Sequence, residues 1–238
     1  MLKNRRIGLS QSGIVQAFNK HGRRNMMKWS DDAYEHVQVL DKEYSDWLCV
    51  PKSIRTTSIK PSGTVSLLNG STPGIHFPED EYYIRRIRFS KDSKLLDSIR
   101  EAGYTMEDDE YSPNTICVEF PVKEPYFYKG KRDVSMWEQL EIAAQYQHYW
   151  ADNAVSVTIT FKGDEENQIK SALELYETRL KAVSFLKYQE TGYKQAPYEP
   201  ITKEEYEERI KKVVQIQRID TDQAGEGTKF CTTDTCTI

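Results

Sequence analysis

Residues 55–68 have the sequence RTTSIKPSGTVSLL, and this stretch decides the predicted fold. Its first six residues are rich in Thr and Ile, which favours a β-strand. Pro61-Ser62-Gly63 ends that strand, and the following residues 64–68 suit the first turn of a helix. The stretch therefore predicts a strand, a tight turn and a helix, which is the opening of a βα unit.

Strands and helices alternate along most of the chain. The spacing of apolar residues predicts further strands at 82–89, 114–122, 154–161 and 183–186, with helices between them. Three helix starts have capping residues: Ser30-Asp31-Asp32, Ser135 with Glu138, and Thr202 with Glu205. This alternation predicts an α/β fold with several parallel crossovers.

The composition is that of a soluble globular protein. The 238 residues include 33 Lys+Arg and 37 Asp+Glu, which gives a net charge of −4. The mean hydropathy is −0.72, and no long apolar run or signal peptide is apparent. We therefore expect a cytoplasmic protein with no membrane partner. The mild acidity argues against direct binding of nucleic acid.

The last part of the chain differs in composition from the rest. From Asp220 onward Asp, Thr, Gly and Gln predominate and apolar residues are scarce. Such a segment cannot bury enough apolar surface to fold. We predict a folded region over residues 1–218 and a flexible tail over residues 219–238.

The turn after the first predicted strand is a candidate anion site. Its hydroxyl groups, its glycine and the free N–H groups of the following helix are what a phosphate needs. The alternative is that these residues only cap the helix. The candidate residues are Pro61, Ser62, Gly63, Thr64, Val65 and Ser66.

Cys231 and Cys236 lie close together in the predicted tail. Their spacing does not match a zinc knuckle or a C-x-x-C motif, but it permits a disulfide. A flexible linker from Gln217 to Cys231 spans roughly 20 Å on average and roughly 45–50 Å when extended. The pair is therefore either a redox shuttle, which carries electrons to a buried site, or two incidental thiols.

Other chemically capable side chains favour structural roles. Cys49 and Cys117 are predicted to be small buried apolar residues. His76 is interpreted as a packed loop histidine. The cluster Arg85-Arg86-x-Arg88 is expected to form ion pairs on a solvated face.

Several separate motifs resemble the adenosylcobalamin-dependent (class II) ribonucleoside-triphosphate reductases, in the order in which that family has them. The resemblance runs from about Arg5 to the end of the chain. The motifs are RTTSIKPSGTVSLL (55–68), TPGIH (72–76), YYIRRIR (82–88), SPNT (112–115), EFPVK (119–123), ADN (151–153), APYE (196–199) and the ending FC…C (230–236).

The resemblance implies the C-terminal part of a ten-stranded α/β barrel, formed by residues 1–218. It implies that Pro61–Ser66 holds the phosphates of a ribonucleoside triphosphate. It also implies that Cys231 and Cys236 reduce an active-site disulfide and are reduced in turn by thioredoxin or a similar dithiol. The resemblance further implies that the complete enzyme binds adenosylcobalamin and forms a thiyl radical on a finger-loop cysteine.

The sequence departs from that family in one large respect. The finger-loop segment Asn-Pro-Cys-Gly-Glu and the N-terminal region are missing, so the radical role is carried over to neither Cys49 nor Cys117. We expect the chain to need an N-terminal reductase chain or segment for turnover. The alternative is a catalytically inactive remnant that binds nucleotides or a partner.

Overall fold

A computed structural model describes residues 5–63, 65–188 and 194–216. They form two compact units. The first comprises Met1–Pro78 and Pro125–Glu190, and the second comprises Glu79–Glu124 and Thr191–Ile238. The predicted boundary at residue 218 and the tail after it lie outside the described residues, so this division of the chain stays a prediction.

The first unit consists of alternating strands and helices. Along the chain they are β1 (Arg6–Leu9), α1 (Ile14–His21), α2 (Arg23–Trp47), β2 (Arg55–Thr57), α3 (Val65–Leu68), α5 (Met136–Tyr149), β6 (Thr158–Phe161), a 3₁₀ turn (Glu166–Gln168), α6 (Ile169–Tyr176) and β7 (Ser184–Lys187).

The strands of the first unit run parallel, as the sequence predicts. β1 pairs with β2, with Leu9 opposite Thr57. An isolated parallel bridge joins Ile59 to Val155, and β6 pairs with β7. Parallel strands require crossover connections, and the helices between these strands supply them. The α/β class is therefore confirmed for this unit.

The core of the first unit lies between this strand array and its helices. Ile59 and Ile159 are fully buried, and α5 buries Leu140, Ala143 and Tyr146 against them. The Ser135 hydroxyl caps α5 by accepting from the N–H of Glu138 at 3.1 Å, which confirms the predicted helix start.

The second unit is built around an antiparallel sheet. Its elements are β3 (Tyr82–Ser90), α4 (Leu95–Glu101), β4 (Thr105–Asp108), β5 (Thr115–Lys123), β8 (Tyr198–Pro200) and α7 (Lys203–Ile210). The strand order is β4-β5-β3-β8. β3 and β5 pair over nine residues, from Tyr82 opposite Lys123 to Ser90 opposite Thr115.

Parallel crossovers are therefore a wrong prediction for the second unit. The reason lies in the residue pattern of β3 and β5, because both strands contain charged residues in their interior instead of being apolar throughout. Val118 packs with Leu96 and Ile99 on one face of the sheet. Arg86 and Glu119 form an ion pair on the other.

The two remaining predicted caps differ in outcome. Thr202 and Glu205 form the predicted capping box at the start of α7. Ser30 does not start a helix, because it lies buried inside α2. No glycine or proline separates Ser30 from Arg23, so the hydrogen-bonded helix begins seven residues earlier. In the described ranges, no helix is long and apolar enough to cross a membrane.

Candidate functional site: a serine–glycine loop at the carboxyl edge of the parallel strands

The candidate anion loop leaves the sheet directly after the second parallel strand. Ser58 donates its backbone N–H to Leu9 O at 2.9 Å. Lys60 donates its backbone N–H to the Ser10 hydroxyl at 3.0 Å. Pro61 then begins the loop at the carboxyl edge of β1 and β2. This is the edge at which open α/β sheets bind ligands.

Ser62 and Ser66 close the loop into the first turn of α3. Ser62 has a left-handed backbone with φ of 49°. The N–H of Ser66 donates to Ser62 O at 3.1 Å, and the Ser66 hydroxyl donates to the same oxygen. Ser66 is buried. Both donor groups of Ser66 are therefore directed into the loop, where they fix its shape.

Gly63 stands beside open space. A Cβ built on Gly63 has no protein atom within 4 Å, apart from its chain neighbours. Pro61 and Ser62 are partly exposed, and Val65 is 67% exposed. The space beside Gly63 admits a ligand to the backbone, whereas Thr64 lies outside the described residues.

Gly74, in contrast to Gly63, is closely surrounded by protein atoms. Its φ is 52°, and a Cβ built on it would lie 2.6 Å from Lys60 O and 3.3 Å from Ile59 Cγ2. The backbone at Gly74 is thus in direct contact with the end of the strand that leads into the loop. Only glycine fits here without displacing Lys60.

His76 joins residues 72–76 to strand β6 through hydrogen bonds. Its Nδ1 lies 3.1 Å from Pro73 O, and its Nε2 accepts from the N–H of Thr158 at 3.2 Å. This pairing requires a neutral ring with the proton on Nδ1. Burial lowers the pKa of His76, and the Lys131 charge adds to this effect. The interpretation as a packed loop histidine is confirmed.

Two residues hold the segments around the loop in place. Gln16, which the sequence analysis missed, bonds to the backbone at residues 70, 72 and 125. Asp152, which belongs to the ADN motif, accepts from the N–H groups of Thr56 and Thr57 at 3.0–3.1 Å and so holds β2 rather than the loop itself. Both sets of contacts join segments far apart in the chain, so local sequence patterns do not predict these two roles.

The cysteines divide into three cases. Cys231 and Cys236 lie outside the described residues. Cys117 is fully buried, as predicted, and burial raises the pKa of its thiol. Cys49 is exposed, so the prediction of burial is wrong for it. The reason is that Trp47 and Leu48, at the same end of α2, are also exposed and offer no core.

The arginine cluster on β3 forms ion pairs, as expected, but not on a solvated face. Arg86 contacts Glu119 at 2.6 Å and Glu199 at 2.5 Å, and the side chains of Arg86 and Glu119 are each only 9% exposed. Arg88 contacts Asp109 at 2.8 Å. Since Arg86 and Arg88 are paired within the second unit, the cluster is not taken as an anion site.

Known proteins resemble this chain over nearly all of its length. An adenosylcobalamin-dependent ribonucleoside-triphosphate reductase of Euglena gracilis is 44% identical over 99% of the chain. A probable reductase of the same name from Dictyostelium discoideum is 44% identical over all of it. A Lactobacillus gasseri reductase of that name is 39% identical over 95% of it. No protein-family model matches.

The chain is homologous to one part of the adenosylcobalamin-dependent ribonucleoside-triphosphate reductases. It spans about a third of the length of the curated relatives that it matches. This partial match is consistent with the predicted C-terminal portion of such a reductase.

The comparison of structures gives the same result as the comparison of sequences. A crystal structure of a B12-dependent class II ribonucleotide reductase superposes with a TM-score of 0.81 and 38% identity. The match covers 89% of this chain and 34% of that one. The described fold is therefore that of part of a class II reductase, which confirms the predicted partial α/β barrel.

Both ring nitrogens of His76 are engaged within the protein. Among the described residues, no group of three or more His, Cys, Asp or Glu could hold a metal ion.

Proposed function

We propose that this chain is the C-terminal portion of a reductase that converts ribonucleoside triphosphates to 2′-deoxyribonucleoside triphosphates. The observation that carries the proposal is the match in both sequence and fold to such reductases, over nearly the whole chain. In the complete enzyme, the cofactor is adenosylcobalamin. The alternative of an inactive remnant has no observation in its favour.

In this proposal the loop Pro61–Ser66 receives the triphosphate of the substrate. The open space beside Gly63 lets a phosphate oxygen approach the backbone. The inward hydrogen bonds of Ser66 hold the loop in one shape before the substrate arrives. A preorganised loop loses little conformational entropy on binding, which favours affinity.

The tail cysteines are proposed to restore the active site after each turnover. Reduction of the substrate leaves an active-site disulfide. A Cys231 or Cys236 thiolate attacks that disulfide, and the second tail thiol resolves the mixed disulfide. Two thiols and one disulfide thus become one disulfide and two thiols, with two electrons transferred. Thioredoxin or a similar dithiol then reduces the tail. Because this cycle needs a reducing compartment, we place the protein in the cytoplasm.

A partner segment is part of this proposal. β1 pairs with β2 along one edge, and Ile7 and Leu9 of β1 are 39% and 47% exposed. In the described residues, β1 has no strand on its other edge. An N-terminal reductase chain or segment would cover these apolar side chains and supply the radical cysteine.

An activity assay tests the proposal. The purified chain is incubated with adenosylcobalamin, ATP and dithiothreitol, alone and together with the N-terminal two thirds of a homologous reductase. We expect 2′-deoxy-ATP only from the mixture. Product from the chain alone would contradict the need for a partner. A mixture that stays inactive, although the two pieces co-elute in size-exclusion chromatography, would contradict the reductase proposal.

A further inference from the structure

Gln16, in the first turn of α1, is bonded to three separate stretches of backbone. Its side-chain Nε2 donates to Gly70 O at 3.0 Å and to Pro125 O at 2.9 Å. Its Oε1 accepts from the N–H of Thr72 at 3.2 Å. Only a side-chain amide offers donor and acceptor together in this arrangement.

Further hydrogen bonds continue from these contacts into the candidate phosphate loop. The N–H of Gly13 donates to Thr72 O at 2.9 Å, next to the contact made by Gln16. The N–H of Ser71 donates to Ser66 O at 3.0 Å. Ser66 in turn bonds to Ser62 through its N–H and its hydroxyl. A displacement of residues 70–72 would therefore also displace Ser66 and Ser62, because hydrogen bonds connect them.

We propose that Gln16 is a positioning residue for the triphosphate of the substrate. It fixes residues 70–72 and, through them, the loop Pro61–Ser66 in the shape that receives phosphate. The inference rests on the proposed phosphate role of that loop. Gln16 itself touches no reacting atom, and its effect is to remove the cost of ordering the loop when the ligand binds.

The backbone around Gln16 is adapted to this contact. Gly70 has a φ of 68°, and a Cβ built on it would lie 3.1 Å from Pro125 Cγ. A Cβ at Gly13, with a φ of 72°, would lie 3.1 Å from Gln16 Oε1. Two glycines thus make room for the amide and its partners. Gln16 is only partly buried, so its loss should loosen this region more than it destabilises the core.

The test compares Gln16→Met with the matched control Gln38→Met in the 238-residue chain. Gln38 makes a hydrogen bond of 2.7 Å to Thr56 Oγ1, in the middle of β2 rather than in the loop. Each chain is titrated with inorganic tripolyphosphate by isothermal titration calorimetry. We expect Gln16→Met to weaken binding about tenfold, because two carbonyls and one N–H lose their partner. Gln38→Met should bind like the original chain.

Two readouts separate positioning from general loss of structure. Amide hydrogen exchange in Gln16→Met should increase at residues 66–72 and stay unchanged in α5. In enzyme reconstituted with the N-terminal segment, KM for ATP should rise about tenfold with little change in kcat. If Gln16→Met does not fold, Gln16→Asn offers the same test, since it keeps an amide that is too short to reach all three partners.

The outcomes are distinct. Equal affinity for tripolyphosphate in the original chain and in a folded Gln16 variant would overturn the positioning role while leaving the loop's phosphate role intact. A fall in kcat with unchanged KM would also overturn it. If the original chain binds no tripolyphosphate, the proposed phosphate role of the loop fails, and the inference about Gln16 fails with it.

Discussion

The imidazole Nε2 of His76 accepts a hydrogen bond from the backbone N–H of Thr158, so the segment 72–76 is fastened to the first residue of β6. The opposite ring nitrogen lies 3.1 Å from Pro73 O. Protonation of Nε2 would destroy the bond to Thr158 and place a positive charge in a buried site. We therefore expect the segment 72–76, which contacts Lys60 just before the candidate phosphate loop, to be sensitive to pH.

The first prediction concerns this sensitivity. The folded pKa of His76 lies below its unfolded value of about 6.5, because burial disfavours the charged ring. Below pH 6.5 the unfolded chain binds a proton that the folded chain resists, so the free energy of unfolding should fall with pH until the folded pKa is passed. Urea unfolding between pH 8 and pH 5 measures this. His76→Gln should flatten the slope, and an unchanged slope in this variant would contradict the role of His76.

The second prediction is that a substitution at Gly63 affects ligand affinity but not stability. Gly63→Ala places a methyl group where no protein atom lies within 4 Å. Thermal unfolding should therefore show equal or slightly higher stability, by up to about 1 kcal/mol, because the unfolded chain loses freedom. Affinity for tripolyphosphate should fall at least severalfold, since the methyl group occupies the space of the ligand.

Gly163→Ala is the matched control for that experiment. A Cβ at Gly163 also has no protein atom within 4 Å, but this glycine follows β6 rather than the loop. It should show the same equal or slightly higher stability and leave tripolyphosphate affinity unchanged. Unchanged affinity in Gly63→Ala would show that no ligand approaches the backbone at Gly63.

The third prediction concerns Gly74. Gly74→Ala combines a left-handed φ with a Cβ 2.6 Å from Lys60 O. We expect a loss of about 2–4 kcal/mol in the free energy of unfolding, from backbone strain together with overpacking. Gly163→Ala is the control, because Gly163 has neither a positive φ nor an atom within 4 Å of its Cβ. Denaturant titration should show a change of less than about 1 kcal/mol for Gly163→Ala. An equally small change in Gly74→Ala would show that neither the backbone conformation nor the contact with Lys60 requires glycine.

The fourth prediction concerns the tail. In the reconstituted enzyme, Cys236→Ser should abolish turnover with thioredoxin, because one thiol alone cannot resolve the mixed disulfide. Turnover with dithiothreitol should persist, since this small dithiol reaches the buried site directly. Steady-state assays with the two reductants make the comparison. Equal loss with both reductants would count against a shuttle.

Local features of the sequence predicted a large part of this structure. Residues 55–68 form a strand, a turn and a helix as expected, and Ser135 and Thr202 cap their helices. Each of these features depends on residues within a few positions of one another. Short-range hydrogen bonds and apolar spacing are sufficient to specify them.

Long-range pairing escaped prediction for a physical reason. The antiparallel register of β3 and β5, with Arg86 opposite Glu119, depends on which segments meet in space. The same holds for Gln16, whose partners lie 54 to 109 residues away. It also holds for Gly74, whose need for glycine arises from the carbonyl of Lys60. No local pattern encodes such contacts.

The uncovered edge of β1 also has a consequence for how the chain is produced. In the part of the chain that the structure describes, β1 has no strand on its other edge and exposes Ile7 and Leu9, so it is a template for pairing with another copy. During synthesis, such pairing would compete with pairing to the N-terminal segment proposed above. Expression together with the complementary segment should therefore increase the yield of dispersed protein, and a charged substitution such as Leu9→Lys should do the same for the chain by itself.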